Sequence, residues 1–264
     1  MKTVKQGKIH YLQPEWADRG NLASGFTTRN GGSSRPPFNS LNLGFGSGDQ
    51  ASQVEANRAA LARAFDLEPH LLLTVNQVHG SEILVIDQPN PDVSHFQRVD
   101  SDAIITNQRN ILIGILVADC FPILLYDQKK HVAGVVHLGW RGTAAGLLGR
   151  TVKAMREIFG CQPEDLCAAV GPGIGAHSYE VDRPVRDAFR RGTDQWGRIA
   201  TEVSLGHWQL DLQKSVELQL DESGVNRAMV DILKECTCCH KEAFFSYRRD
   251  NGRTGRQMGF ALLR

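Results

Sequence analysis

Two unbroken apolar runs dominate the middle of the chain. Residues 111–118 end in Asp119-Cys120 and resume as 121–126, and residues 132–136 end in His137-Leu138-Gly139-Trp140-Arg141. Runs of this length, rich in Ile and Val and lacking polar alternation, predict strands covered on both faces. A thiol and an imidazole at the ends of such strands sit on rigid backbone, where a functional site needs them. Further strands are predicted at 71–78, at 82–87 as its neighbour, at 102–106, at Leu166–Val170 and at Gln257–Leu263. Ser52-Gln53-Val54-Glu55 has the form of a capping box and opens an Ala-rich helix through Phe65. Gly142-Thr143-Ala144-Ala145-Gly146 opens a long helix to about residue 159, with Thr143 as its cap. Helices are also predicted at 184–191 and 207–223, the latter carrying Leu210, Leu212, Val216, Leu218 and Leu220. Residues 9–28 read as an irregular opening segment with short strands. Residues 29–49, dense in Gly, Ser, Asn and Pro, read as a long ordered loop, and 88–98 as a second loop.

Composition narrows this picture without deciding it. The 264 residues are 41% hydrophobic and 22% charged, ordinary for a globular chain long enough to bury its own core. With no internal repeat or linker, one domain over 1–264 is the simplest organisation. A net charge of +1 predicts no nucleic-acid partner. No apolar stretch reaches membrane-spanning length, because Asp119 and Pro122 interrupt the longest run. Residues 1–10 have no apolar signal core, and six cysteines are too few and too irregular for a disulfide framework. A reducing cytoplasm is the expected setting; the oligomeric state is not legible.

Within that frame several residues offer chemistry. Cys236-Thr237-Cys238-Cys239-His240 is rich in soft ligands but has no second ligand pair along the chain, so a structural metal is not expected there. His79, Cys120 and His137 each follow an apolar strand and precede a turn. Two imidazoles and a thiolate suit Zn²⁺, with copper as the alternative ion, and three protein ligands leave a fourth position open, the catalytic pattern. The same residues also fit an inert buried thiol with core histidines, or a nucleophilic Cys120 with His137 as its base. Asp119 reads as a general base, an orienting group or a strand-end cap. Arg29, beside Gly31-Gly32, offers a guanidinium to an anion or a solvated turn.

The segments FTTRNGG (26–32), SLNLG (40–44), NQVHG (76–80), ADCFPILL (118–125), HLGWRGTAAG (137–146), GPGI (171–174), YEV (179–181) and FFSYRRDNGRTGRQM (244–258) run nearly end to end. In them the chain resembles the multicopper polyphenol oxidase, or laccase-domain, family of YfiH-like proteins, also called peptidoglycan editing factors and grouped with purine nucleoside phosphorylases. The resemblance implies one α/β domain, of mixed α+β character, with mixed sheets flanked by helices. It implies a metal site at His79, Cys120 and His137, with zinc favoured. Nine scattered histidines do not supply the paired clusters of a true multicopper oxidase. The implied activity is phosphorolysis of adenosine, inosine, guanosine or methylthioadenosine, together with deamination of adenosine. Its implied partners are the nucleoside and phosphate. Alternatives are a Cys120-dependent hydrolase editing peptidoglycan precursors, laccase-like oxidation with copper, and a non-catalytic metal-binding protein. Under the lead reading Asp119, Cys120 and Arg29 are catalytic. Arg29, Asn42, Arg248 and Arg249 contact substrate or phosphate, and Tyr247 or Trp140 stacks on the base. The family often carries two cysteines immediately before Tyr-Glu-Val. This chain has His177-Ser178 there, so no role carries over to those positions.

Overall fold

Alternation along the central strands sets the layering. In the computed structural model, which describes residues 1–18, 21–89 and 91–264, Ile113 and Ile115 of the strand Leu112–Val117 face one core. Leu112 of the same strand faces another. Successive side chains in a strand point to opposite faces, so an apolar residue at every position requires a packed layer on both sides. Here one layer is a second sheet and the other is the helix Ala51–Ala64 with the loop carrying Leu41 and Leu43.

The first sheet runs in the order Lys2–Gln6, Ile9–Gln13, Leu22–Thr27, Gln257–Leu263, Leu112–Val117, Leu72–Leu73. The second runs Val230–Ile232, Leu166–Val170, Phe121–Asp127, Val132–Leu138, Ala103–Thr106, Ile83–Ile86. Both are mixed, being mainly antiparallel with parallel pairs at their edges. Phe26, Ile113, Ile115 and Leu263 of the first sheet meet Leu124, Tyr126, Val135 and Ala169 of the second in one buried layer. On the outer face of the second sheet, Ile105, Ile123, Leu125 and Val136 pack under the helices Leu147–Phe159, Arg183–Gly192 and Leu212–Glu222. The result is a mixed α/β fold of helix, sheet, sheet and helix layers.

Several local expectations are corrected. The two halves of the apolar run 111–126 belong to different sheets, so Asp119-Cys120 is the crossing between them. Of 71–78 only Leu72–Leu73 is strand. It pairs with Leu112–Val117, whereas Ile83–Ile86 lies in the other sheet against Ala103–Thr106. The helix after Gln50 begins at Ala51, which puts Ser52 inside the first turn, and no side chain caps it. The helix expected over 142–159 is two, Trp140–Ala144 and Leu147–Phe159, because Gly146 between them has φ 70°, a left-handed conformation incompatible with a continuous right-handed helix. Thr143 turns its hydroxyl back to the Gly139 carbonyl instead of capping. The helix expected over 207–223 is a strand, His207–Leu210, and then Leu212–Glu222 capped by the Asp211 carboxylate on the Lys214 amide. Its buried Trp208 and Leu210 alternate with period two, a signal hidden by the helical spacing that follows. The loop over 88–98 contains a short helix, Val93–Phe96. Arg19, Gly20 and Asn90, within the expected segments 9–28 and 88–98, lie outside the described residues.

Candidate functional site

Strand register brings the first two soft ligands together. The strands Phe121–Asp127 and Val132–Leu138 pair antiparallel, with Phe121 opposite Leu138 and Pro122 opposite His137. One step further, Cys120 meets Gly139. A Cβ on Gly139 would lie 3.0 Å from Cys120 Sγ and 3.1 Å from His79 Cδ2. Only a glycine lets the backbone approach this closely. His79 enters from the 74–80 segment, which the Gln77 side chain ties to the first sheet by donating to the Leu116 carbonyl at 2.8 Å and accepting from the Leu116 amide at 2.7 Å. The ligand atoms of His79, Cys120 and His137 lie within 4.8 Å of one another, and the two imidazoles stand edge to face with centroids 4.8 Å apart.

Asp102, which sequence reasoning passed over, organises this cluster. It is fully buried and sits beside His137 across the pairing of Ala103 with Val136. His137 Nδ1 lies 2.7 Å from Asp102 Oδ1, leaving Nε2 as the ligand atom. The backbone amides of Val78, His79 and Gly80 also donate to the Asp102 carboxylate, at 3.3, 3.1 and 2.6 Å. One carboxylate thus orients one imidazole and shapes the turn that carries the other. Burial disfavours charge on all three groups. Nevertheless, the neighbouring imidazoles hold the Cys120 thiol below its usual range, and the thiolate with Asp102 holds His137 above its own. Asp102, disfavoured by burial as well, is held low by the His137 hydrogen bond. His79 and Asp119 adopt left-handed backbone, φ 58° and 92°, a conformation uncommon in non-glycine residues and concentrated at functional sites. A soft donor set, an oriented imidazole and a close-approach glycine fit a borderline-soft divalent cation such as zinc.

These residues floor a cleft of about 770 Å³. Asp119, Tyr247 and Arg248 line it as well, with Trp140, Tyr179 and Phe45 as aromatic walls and Arg58, Arg141 and Arg256 as further cations. Arg58 is bound to the Leu43 carbonyl and Thr74, and burial lowers its pKa to about 10. Arg141 lies over the Trp140 ring at 4.2 Å. Arg256 uses Nη1 on the carbonyls of Thr254 and Gly255 and lies over Tyr247. Asp119 accepts from Thr237 Oγ1 at 2.6 Å and from the Arg248 amide at 2.7 Å.

Arg29, Asn42 and Arg249 do not line this cleft. Arg29 lies over the Phe245 ring and donates to the carbonyls of Asn39 and Lys241. Arg249 clasps Asp250 through Nε and Nη2 and donates to the carbonyls of Thr237, Cys238 and Phe244. Asn42 is buried and bridges the amides of Gly44 and Arg256 to Ser47 and Asp49. Their donors are engaged within the protein, on backbone carbonyls for Arg29, on carbonyls and Asp250 for Arg249, and on Ser47 and Asp49 for Asn42, so the structure places all three outside the cleft as bracing groups. Arg58, Arg141 and Arg256 were missed because nothing in their local sequence separates a cleft arginine from a surface one.

The model of the family described as multi-copper polyphenol oxidoreductase laccase matches residues 23–264. The chain is 34% identical over 243 residues to the purine nucleoside phosphorylase YlmD of Bacillus subtilis, covering 90% of this chain and 87% of that protein. It is 33% identical over 248 residues to a purine nucleoside phosphorylase of Bacteroides thetaiotaomicron, covering 92% of each. Among solved structures it superposes on a Bacillus licheniformis hypothetical protein, YfiH, with TM-score 0.90 at 31% identity and 97% coverage of both chains. It superposes on YlmD of Geobacillus stearothermophilus with TM-score 0.89 at 32% identity, over 99% and 98% of the two.

Proposed function

The chain belongs to the multi-copper polyphenol oxidoreductase laccase family, and we propose that it is a zinc-dependent purine nucleoside phosphorylase. The observation carrying this reading is one cleft that gathers His79, Cys120 and His137 with aromatic walls and four arginines, in a chain of net charge only +1. The relatives named purine nucleoside phosphorylase support it.

In the reaction, a phosphate oxygen bonds to ribose C1′ while the C1′–N9 bond breaks, and the purine leaves with that electron pair and takes up a proton. Zinc held by His79, Cys120 and His137 would supply Lewis acidity beside the reacting groups. Arg141 and Arg256 are assigned to the phosphate in place of Arg29 and Arg249, since planar guanidinium suits two phosphate oxygens at once. Trp140 and Tyr247 are assigned to the purine face. Asp119, committed to Thr237 and Arg248, is a positioning residue that holds the Arg248 segment at the cleft. We extend the proposal to adenosine deamination at the same centre.

The test is chromatography of adenosine and inosine incubated with and without phosphate. Free base and ribose 1-phosphate should appear only with phosphate, and inosine from adenosine without it. Arg256→Ala should raise KM for phosphate about tenfold or more, the loss of one charged hydrogen-bond partner. A Cys120→Ala protein with full metal content and full turnover would overturn the proposal.

A second reading rests on the Cys120, His137 and Asp102 array, which has the order of a nucleophile, base and orienting acid. As a hydrolase of peptidoglycan precursors, the protein would keep its activity after complete chelation and lose it to thiol alkylation. His79 favours the metal reading, since it adds a third soft donor that a thiol hydrolase does not need.

A further inference from the structure

A second cluster of soft ligands lies outside the cleft and has no part in the reaction above. His177 Nε2 and the thiols of Cys236 and Cys239 lie within 4.8 Å of one another. His177 Nε2 is 3.1 Å from Cys239 Sγ. Ser178 Oγ is 3.6 Å from Cys239 Sγ and 3.8 Å from Cys236 Sγ. Along the chain the 236–240 run lacks a partner pair. In space its partner is the turn at 175–178, which the chain approaches only through tertiary contacts.

Backbone hydrogen bonds hold these groups in place. Cys236 bridges Gly173 in a short parallel pairing, and the Thr237 amide donates to the Gly173 carbonyl at 2.9 Å. The amides of Cys239 and His240 both donate to the Cys236 carbonyl, closing a Cys-x-x-Cys turn that keeps the two thiols on one side. The Gly175 amide donates to Cys236 Sγ at 3.1 Å, a bond that favours thiolate over thiol. Arg249 holds the carbonyls of Thr237 and Cys238 from behind. Cys236 is buried while His177 and Cys239 are exposed, so an ion can reach the cluster from solvent.

We propose that His177, Cys236 and Cys239 form a second binding site for a borderline-soft divalent cation, zinc above all, with Ser178 or a water in the fourth position. Two thiolates and one imidazole are a zinc donor set, and the spacing of two residues between the cysteines is that of zinc turns. Binding releases the two thiol protons to solvent. The ion joins the 171–179 turn to the 236–240 turn. Thr237, between the two cysteines, donates to Asp119, so the site stiffens a segment that reaches the first cluster without supplying a ligand to it. Hard oxygen-seeking cations are poor occupants, because the cluster offers no carboxylate.

The experiment is zinc stoichiometry by mass spectrometry on the reduced full chain after equilibration with zinc, together with the Co²⁺-substituted absorption spectrum. Two ions per chain are expected in the parent protein, and one in Cys239→Ser and in His177→Ala. One is expected in Cys120→Ala and none in the Cys120→Ala, Cys239→Ser double variant. The near-ultraviolet thiolate-to-cobalt band should weaken in Cys239→Ser more than in Cys120→Ala, since the second site holds two thiolates. His177 and Cys239 are exposed, so their replacement leaves the core packing untouched, and unchanged melting transitions of the metal-free variants check this. Saturation of the reduced parent protein at one ion per chain, or retention of two ions in Cys239→Ser, would overturn the proposal.

Discussion

Asp102 has more consequence for the candidate site than its place in the sequence suggests. It touches both histidines, one through Nδ1 and the other through its backbone amide. A carboxylate behind a ligating histidine fixes the tautomer and ring orientation. Asp102→Asn is therefore expected to lower zinc affinity about 10- to 100-fold, read by competition with a chromophoric chelator. Affinity unchanged from the parent would remove Asp102 from the site. Gly139 makes a steric claim of the same locality. In Gly139→Ala the methyl meets Cys120 Sγ and His79 Cδ2 at 3.0 and 3.1 Å, closer than ordinary contact. The expected outcome is a folded protein, by circular dichroism, that no longer retains stoichiometric metal at the first cluster. His79, Cys120 and His137 could be singled out from sequence because each interrupts an apolar run at a turn. Asp102 could not, since an aspartate before a short strand has the same local appearance as any strand-end cap.

The C-terminal segment between Phe244 and Gln257 both lines the cleft and braces the chain behind it. Its arginines divide by position. Arg248 reaches the cleft, whereas Arg249 turns inward, clasps Asp250 and satisfies carbonyls of the 236–240 turn. Burial disfavours the Asp250 carboxylate, but Arg249, Thr254 and Arg29 outweigh it and hold it below the usual carboxylate range. A folded-state pKa below the unfolded value stabilises the fold above the unfolded value, and this stabilisation is lost as pH falls through the folded one. Unfolding by denaturant at about pH 6 and about pH 3 should therefore show a smaller acid-induced loss in Asp250→Asn than in the parent. At the higher pH the substitution should cost on the order of 1–3 kcal/mol, because Arg249 loses its charged partner. A pH dependence identical to the parent's would show that the pair adds no stability. Adjacent arginines in a polar run have no periodicity to tell them apart, so this division was not legible in advance.

At the scale of the whole molecule, the layer between the two sheets is a buried core and the sheet crossing brings Asp119 and Cys120 to the cleft. Ile113 is fully buried in that layer, near the end of its strand remote from Asp119. Ile113→Ala should cost about 2–5 kcal/mol in denaturant unfolding while metal content stays stoichiometric. Loss of metal together with stability would mean that the site depends on the entire layer. Among the described residues no helix is long and apolar enough to cross a membrane. The central strands, Leu166–Val170 and Gln257–Leu263 were legible because a strand covered on both faces is apolar at every position, and the mixed α/β class was implied by the motifs shared with the laccase-domain family. The places of His79, Cys120 and His137 after apolar runs were legible too, while their reading as a metal set came from the resemblance. Shared motifs supplied the class and the metal reading, and local pattern determined the strands. It left undecided that the run 111–126 splits between two sheets, that Asp102 stands beside His137, and which arginines face the cleft. It also hid the approach of His177 to Cys236 and Cys239. Each of these is a contact between segments distant in sequence, set by strand register and sheet packing, and periodicity along the chain carries no information about which segments become neighbours.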